Sequence, residues 1–571
     1  AMVRGPIDEA YFKGLPYWQQ WDAAVKFLVE TGTASAAPVL VLHMLWCCIL
    51  WLAFWGTTRL VAGAASGAEY YYIFARTALM GYSLIEFLGW SGMWQGPSSG
   101  NVKPPFPLTW NRFKVGTIKE PFFDFLGDTR SPLDVGLAYA YIPVMLYLIL
   151  TPGAGALCWL WPAWVWAFFL LDFSCYVGMM GTWFGPVSVV LAAGEAGLAG
   201  SLAGLQLVLL MLWFGCGMGK HGPWFGNLFA SEWNLPVWFA GSKCMNRLFY
   251  EDPENEVWRP TRFATVLGYL AGACEWGSPL LMFLTPGVVT KLGFGSLGPG
   301  CVYFSLFVLI SMHAYIILHI PVADVNMINT VPVLWGLYCF KFASTGFDYA
   351  DFEAMPLALK AFLGCFFVHM LYGQRHTDEI CYMNCWRFWA GNWPQSWFLM
   401  SESGVEKVRK LPSRSVFPPA DGLKDMGIMG PWEAEYMDTY LSAFMWFTQL
   451  CSRIFPALLH EVTGGKPLHE CRLVYGMLVT NHCLGPASNC VLRAKHLVPR
   501  LQRVCQFEEG ECIWIVCWSF PSFGKYARYE VIDLKKGQLC AGRWSTEDAL
   551  ALGKPSDCQG LASRLPLKVS A

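Results

Sequence analysis

The run Pro38–Trp55, PVLVLHMLWCCILWLAFW, carries no formal charge. About twenty apolar residues are enough for a helix to cross the ~30 Å hydrocarbon core of a bilayer. Similar runs follow one another up to Gly373, separated by turns rich in glycine and proline. They occupy residues 69–89, 133–151, 155–173, 201–217, 262–285, 299–320, 328–345 and 354–372. The sequence therefore predicts a polytopic helical membrane protein.

Hydropathy alone predicts nine spans, and the status of one further apolar segment, 184–198, is open because it is short and rich in glycine. It could be a re-entrant half-helix or the first arm of a tight hairpin. The loops 90–132 and 218–262 each hold five Lys or Arg residues. Lys and Arg concentrate on the non-translocated side of a membrane. These loops share a side only if 184–217 crosses twice, so we expect ten crossings, with both termini on the basic side.

The composition agrees with a membrane protein and excludes several other classes. Of 571 residues, 55% are hydrophobic and 14% are charged, against ~45–50% and ~25% in soluble domains. The net charge of −1 and the lack of a basic cluster argue against a nucleic-acid partner. The 21 cysteines include no C-x-x-C pair, which argues against zinc-ribbon and thioredoxin-like sites. No metal site is predicted.

The polarity of the chain changes after Gly373, which predicts four parts. These are an N-terminal segment 1–37 with an interfacial amphipathic helix, a transmembrane domain 38–373, a Trp-rich interfacial segment 374–400, and an α+β soluble domain 401–571.

Secondary structure within the last part follows from its local patterns. An amphipathic helix is predicted at 437–461, with an interruption at Pro456. Cys512–Phe520 and Tyr526–Leu534 predict a β-hairpin, with Gln538–Gly542 as a candidate third strand.

Three sequence patterns fit catalytic or nucleotide-binding motifs only superficially. The stretch 293–298, GFGSLG, lacks the preceding strand that a dinucleotide fingerprint requires. Ser98 fits G-x-S-x-G, but lies in a Pro/Gly loop rather than in a strand-to-helix turn. A zincin motif after His460-Glu461 would need histidine where Gly464 stands. We interpret the first two stretches as turns.

Ionisable residues inside the apolar runs are better candidates for function, since each costs at least ~2.5 kcal/mol in hydrocarbon. The predicted intramembrane polar site consists of Arg76, Glu86, Glu195, Glu275 and His313. Arg76 and Glu86 are ten residues apart, so each should have its partner elsewhere. Glu275 and His313 lie on consecutive spans and could share a site that relays protons, holds a lipid headgroup or ligates a metal. The alternative is that these groups form hydrogen-bonded contacts between helices.

A third interpretation concerns bound pigments. The histidines and one glutamate of the apolar runs could be axial ligands of porphyrin-type molecules. These residues are His43, His313, His319, His369 and Glu86. The possible bound molecules are then chlorophyll, a carotenoid or a structural lipid.

The stretch 381–400, CYMNCWRFWAGNWPQSWFLM, is the most distinctive of the chain. Arg387 and Asn392 lie among tryptophans that include Trp389 and Trp393, and Arg stacks well on aromatic faces. These four residues could clamp a lipid headgroup. The alternative is an interfacial aromatic belt that ends the last helix.

The chain resembles a domain-of-unknown-function family of polytopic transmembrane proteins that is common in actinobacteria. The resemblance spans about residues 12–550. It rests on Ala193-Gly194-Glu195, Ala273-x-Glu275 with Pro279-Leu280, His313 with Ile320-Pro321, Arg387 with Ala390-Gly391-Asn392-Trp393, Cys505-x-Phe507-x-x-Gly510-Glu511, Tyr529 and Val531–Asp533. It implies fold and topology but no activity. The resemblance implies a stretch richer in Gly, Asp and His just after Gly476, whereas this chain keeps only Asn481 and His482 there as polar candidates. This difference points away from an enzyme.

The sequence leads to two functional hypotheses of different class. The first is a non-enzymatic accessory or structural subunit of a larger bioenergetic complex that binds lipids or pigments. Its specific form is a photosynthetic complex in the thylakoid membrane, and its partners are membrane lipids and other membrane subunits. The start at Ala1-Met2 agrees either with a presequence that has been removed or with a residue that was added for expression. The second is a membrane enzyme or transporter that acts on a lipid or isoprenoid through Glu275 and His313.

Overall fold

The computed structural model describes most of the chain. The described residues are 7–31, 36–88, 114–178, 181–234, 239–294, 297–319, 346–380, 382, 384–387, 390–412, 417, 436–476, 479–480, 483 and 491–562. They are mainly helical and form two hydrophobic cores. One core lies between the apolar helices, and the other joins the C-terminal region to the N-terminal helices.

The helices of the described residues up to the last apolar run are, in chain order, α1 Glu9–Lys13, α2 Tyr17–Thr31, α3 Ala36–Val61, α4 Gly67–Leu88, α5 Pro132–Leu150, α6 Leu160–Leu171, α7 Phe173–Gly178, α8 Gly181–Glu195, α9 Ser201–Gly219, α10 Pro223–Glu232, α11 Lys243–Phe249, α12 Arg262–Leu281, α13 Pro286–Lys291, α14 Leu297–His319, α15 Tyr349–Ala354 and α16 Leu357–Arg375.

The helices that follow are α17 Glu402–Arg409, α18 Met437–Thr448, α19 Phe455–Thr463, α20 Val491–Cys505, α21 Thr546–Ala551 and α22 Gln559–Ala562. The strands are β1 Tyr250–Asp252, β2 Val257–Pro260, β3 Gln395–Met400, β4 Leu473–Tyr475, β5 Cys512–Cys517, β6 Tyr526–Asp533 and β7 Gly537–Ser545.

Four helices of the described residues are long and apolar enough to span a membrane: α5, α9, α14 from Pro299 onward, and α16. They coincide with four of the predicted spans. The predicted runs 38–55, 69–89, 155–173, 184–198 and 262–285 fall on the helices α3, α4, α6, α8 and α12. The predicted span 328–345 lies outside the described residues. A helical transmembrane architecture is thus confirmed.

The segment 184–198 is the first arm of a helical hairpin. Helix α8 packs along α9, and most of its side chains are buried. A Cβ on Gly204 would lie 2.8 Å from Val190, so glycine allows the two arms to approach closely. The carboxylate of Asp351 accepts the backbone N–H groups of Gly200 and Ala203, both at 2.9 Å, and thereby caps the start of α9.

Helices α9 and α10 together pack against α12 with very little space between the backbones. A Cβ on Gly217 would lie 2.5 Å from the backbone nitrogen of Trp276. A Cβ on Gly226 would lie 2.7 Å from Cα of Thr265, and one on Gly268 would lie 2.6 Å from the nitrogen of Gly226. Small residues permit such close packing between apolar helices, so these glycines fix the position of α12.

The C-terminal region contains an antiparallel sheet of order β4-β3-β5-β6-β7. The hairpin predicted from Cys512–Phe520 and Tyr526–Leu534 is confirmed as β5 and β6, and β7 is the third strand. Strand β3 comes from the Trp-rich segment 374–400 and pairs with both β4 and β5. That segment therefore contributes a central strand to the sheet, and the domain boundary at residue 400 stays a prediction.

Helix α2 is amphipathic, as predicted for the N-terminal segment, but its apolar face is covered by protein. Trp21, Ala24 and Val25 are fully buried in the C-terminal core. The Tyr17 hydroxyl donates to the carbonyl of Pro456 at 2.6 Å. This face thus packs on the C-terminal region rather than on lipid, because α18 and the turn 555–558 lie against it.

Adding one methyl group to α12 tests the close backbone contact. Gly268→Ala should lower the melting temperature in detergent, since overpacking costs about 1–3 kcal/mol. Gly277→Ala is the control in the same helix, because nothing lies within 4 Å of its Cβ position. It should be neutral or stabilising by up to about 1 kcal/mol. Equal melting temperatures for the two variants would contradict the close approach of α10 and α12.

Candidate functional site

A buried ion pair joins Glu275 of the predicted polar site to Lys220. Lys220 ends α9 and Glu275 lies in the middle of α12; both side chains are 4% exposed. A Cβ on Gly272 would lie 3.2 Å from Cβ of Lys220, so this glycine makes room for the lysine stem. The pair neutralises both charges between two apolar helices, which is the condition for burying them.

His313 has a different partner on the same helix α9. The indole Nε1 of Trp213 donates to Nε2 of His313 at 2.8 Å, and both side chains are buried. Glu275 and His313 thus both attach to α9, through Lys220 and Trp213 respectively. A joint site of Glu275 and His313 stays a prediction. Lys220 and Trp213, which contact Glu275 and His313, would belong to such a site as well.

The sequence predicts that Lys220 belongs to the basic loop 218–262, because it comes shortly after the apolar run 201–217. Long lysine stems can lie along apolar surface while the ammonium group finds a polar partner. A lysine at the end of a span, opposite an unmatched mid-span glutamate, is the signal that could have revealed this pair.

The Arg76 side chain lies at a second junction, between α4, α5 and α8. Its Nε lies 2.8 Å from Oε1 of Glu195, and both side chains are almost fully buried. Nη2 donates to the carbonyl groups of Leu148 and Thr151 at 2.5 and 3.1 Å. Gly153 donates its N–H to Glu195 at 3.1 Å. Arg76 thus has its partner on another helix, as expected, and the contacts hold the ends of α5 and α8 together.

Another buried ion pair lies where α6 ends. Nε of Arg130 lies 2.7 Å from Oδ2 of Asp172, and the Ser174 hydroxyl donates to Oδ1 at 2.6 Å. Glu86 is also buried, in α4. Among these groups, Lys220–Glu275 and Arg76–Glu195 are the pairs that join two helices.

The predicted pigment ligands differ in how accessible their ring nitrogens are. His43 belongs to α3, but its side chain is outside the described residues. Nε2 of His313 accepts the hydrogen bond of Trp213, and the same lone pair cannot also bind a metal. His319 lies among aromatic rings, stacked on Tyr315 with centroids 4.1 Å apart. His369 is exposed on α16, so its position fits an outward-facing ligand best.

The Arg387 side chain is fully buried and attaches the C-terminal sheet to the membrane helices. Nη2 donates to the carbonyl of Phe520 at 2.7 Å. Asn392 brackets the same residue: its Nδ2 donates to the Phe520 carbonyl at 2.6 Å, and its Oδ1 accepts the Phe520 N–H at 2.8 Å. Burial lowers the pKa of Arg387. The predicted clamp therefore holds the β5–β6 loop through these two residues.

The other two residues of the predicted headgroup clamp add little to it. Trp393 is partly buried and stacks on Tyr382, with centroids 5.7 Å apart. Trp389 is outside the described residues. Arg387 is fully buried in protein, and lipid binding by this clamp stays a prediction.

Sequence reasoning missed Asp438, a partly buried carboxylate at the start of α18. Oδ1 accepts the backbone N–H of Tyr475 at 2.9 Å. Ser442 donates to the Asp438 carbonyl at 2.6 Å and accepts from the indole of Trp397 at 2.9 Å. Burial raises the pKa of Asp438 to about 7. The residues Asn481 and His482, which follow in the chain, lie outside the described residues.

Removing one charge of the Lys220–Glu275 pair should destabilise the protein. Glu275→Leu leaves a buried ammonium group without a partner, which costs about 3–5 kcal/mol. The double variant Lys220→Met/Glu275→Leu should recover most of this loss, since an apolar pair of similar volume is often neutral. Melting temperatures of the wild type, Glu275→Leu, Lys220→Met and the double variant in detergent measure the coupling. Equal losses in the single and double variants would mean that the pair is not coupled.

Asp438 predicts a pH dependence of stability. Its folded pKa of about 7 lies above the ordinary 3.8, so the folded state binds the proton more tightly and stability falls as pH rises between these values. Asp438→Asn should be more stable than the wild type at pH 8, by at most about 4 kcal/mol, and similar to it at pH 4. Chemical unfolding at both pH values measures this. Glu547→Gln, at an exposed position of α21, is the control, and it should leave the stability within about 0.5 kcal/mol of the wild type.

No curated protein and no solved structure matches it significantly. A family model described as a transmembrane protein of unknown function (DUF3556) matches residues 4–557, so the chain belongs to this family of transmembrane proteins.

Proposed function

We propose that this chain is a non-enzymatic, multi-pass integral membrane protein that serves as an accessory or structural subunit of a larger membrane complex and binds lipids or pigments. The proposal rests on the pairing of buried charged side chains from different helices. Lys220, Glu275, Arg76 and Glu195 are paired with one another across helices. The attraction within each pair stabilises a contact between two helices.

The outer faces of the helices favour lipid or subunit contacts. Large apolar side chains are exposed along α14, where Tyr303, Phe304 and Phe307 are 58–68% exposed. Such surface is stable in contact with acyl chains, with pigments or with other membrane subunits. His369 on α16 adds an exposed imidazole within a candidate span.

Ten crossings, with both termini on the basic side, are part of the proposal. His319, at the end of α14, contacts Trp233, in the basic loop 218–262. Gly346 lies at the other end of α14, where a Cβ on it would lie 3.1 Å from Val302. His319 is the last described residue before 320–345 and Gly346 is the first one after it. These two residues thus lie at opposite ends of α14. The predicted span 328–345 lies between them in the sequence and is outside the described residues.

The specific form of the proposal is a photosynthetic complex in the thylakoid membrane. It is tested by purification from the native membrane in mild detergent, followed by native gels, absorption spectra and mass spectrometry of bound molecules. The expected result is co-migration with a large complex and bound chlorophyll or carotenoid. His369→Leu should lose pigment, whereas His376→Leu, at a nearby exposed position, should keep it. A monomer without pigment would contradict the proposal.

The second candidate is an enzyme or transporter for a lipid or isoprenoid. It is favoured by the position of Lys220–Glu275 and Trp213–His313 on one helix, since intramembrane ionisable groups often mark a transport or reaction path. The variant Lys220→Met/Glu275→Leu separates the two candidates. It should keep complex formation if the pair is structural. Loss of substrate turnover in a folded variant, with one stoichiometric lipid in the wild type, would support the second candidate.

A further inference from the structure

Three phenylalanines are exposed in a short segment before α5. The segment Pro121–Gly127 reads PFFDFLG. Phe122 is 64% exposed, Phe123 45% and Phe125 82%. A single exposed phenylalanine needs no explanation, but a contiguous apolar patch marks a surface that contacts something else.

The three rings form one continuous surface, named here the phenylalanine wedge (Phe122, Phe123 and Phe125). The centroids of Phe122 and Phe123 are 5.0 Å apart, and those of Phe123 and Phe125 are 5.4 Å apart with nearly parallel planes. Phe122 also stacks near Phe169 of α6, at 6.4 Å. The wedge is thus attached to the membrane helices.

The wedge lies at the end of the bundle where α5 begins and α6 ends. The backbone N–H of Phe122 donates to the carbonyl of Leu170 at 2.8 Å. Leu133, in the first turn of α5, is 70% exposed and extends the apolar surface. Because α5 is long and apolar enough to span the membrane, its first residues lie at the bilayer boundary. Phe122 is bonded to Leu170 near the end of α6, and Arg130, just before α5, pairs with Asp172, just after α6. The wedge therefore lies at the same level as the start of α5.

Helix α20 of the C-terminal region is bound to the wedge segment through two arginines. Nη2 of Arg500 donates to the Pro121 carbonyl at 3.1 Å and to Asp124 at 3.0 Å. Arg503 makes two bonds of 2.6 Å to the carboxylate of Asp128. Bidentate pairs of this kind fix geometry as well as charge.

The sequence of α20, VLRAKHLVPRLQRVC, contains four Lys or Arg and no acidic residue. Lys495 is exposed on it. An aromatic surface beside a helix with an exposed lysine suits a lipid–water interface, where aromatic rings enter the headgroup region and a cation such as Lys495 meets lipid phosphates.

We propose that the phenylalanine wedge inserts into the boundary between headgroups and acyl chains of the bilayer and thereby anchors α20 against the membrane surface. The partner is phospholipid. The inference requires only that the chain spans a membrane, so it goes beyond the subunit function proposed above and does not depend on it.

Photo-crosslinking of the full chain tests the lipid contact. p-Benzoylphenylalanine replaces Phe125 in one protein and the exposed Tyr11 of α1 in the control. Both are placed in nanodiscs of phosphatidylcholine and phosphatidylglycerol and irradiated. Intact-mass spectrometry should show a shift by one phospholipid for the Phe125 protein and none for the control. A cross-link to a second chain, or no lipid adduct at position 125, would overturn the proposal.

A second experiment tests the anchoring. In the variant Phe122→Ser/Phe123→Ser/Phe125→Ser, amide hydrogen exchange in α20 should become faster in nanodiscs. Exchange in α19 should stay as in the wild type, because its residues are buried in the C-terminal core, and this shows that the domain is folded. Unchanged exchange in α20, or faster exchange in both helices, would refute a wedge that anchors α20.

Discussion

The ion pair between Lys220 and Glu275 shows the constraint on which the packing of the apolar helices depends. A charged group without a partner costs several kilocalories per mole inside a protein or a bilayer, so it must meet an opposite charge on another helix. This requirement holds α9 against α12, and Arg76–Glu195 holds α4 against α8 in the same way. Glycines at Gly217 and Gly272 allow the backbones to approach closely enough for the first pair to form.

Buried arginines at the junction with the C-terminal region also need partners, and there the partners are mainly backbone carbonyl groups. Arg387 and Asn392 both bind Phe520 at the start of the β5–β6 loop. Arg453 is fully buried and donates to Asn227 of α10, to the Trp258 carbonyl of β2 and to the last turn of α21. The sheet is therefore fixed to α10 and to the chain that leads into α12. A rigid attachment of this kind fits a structural subunit.

The apolar runs predicted the helices well, because a continuous stretch of apolar residues is visible in the sequence itself. The β5–β6 hairpin was predicted for a similar reason, since its β-branched and aromatic residues are bounded by a Pro/Gly turn. Strand β3 was missed. Its four apolar residues, Trp397–Met400, follow a Trp-rich stretch with Arg387 and Asn392, and this pattern is also typical of an interfacial aromatic belt. Only its pairing with β4 and β5 makes it a strand.

The sequence predicted which residues belong to the candidate site, but it did not predict which side chains contact one another. Glu275, His313, Arg76 and Glu195 stand out because ionisable residues are rare in apolar runs. Their partners are distant in sequence, as Lys220 is 55 residues from Glu275 and Trp213 is 100 residues from His313.

The sequence alone determined that this is a helical membrane protein, because hydrophobic length is a local property. Which charges meet, which histidine faces outward and where the phenylalanine wedge lies depend on how the helices pack. Only the tertiary structure decided them, since those contacts join residues that no local pattern connects.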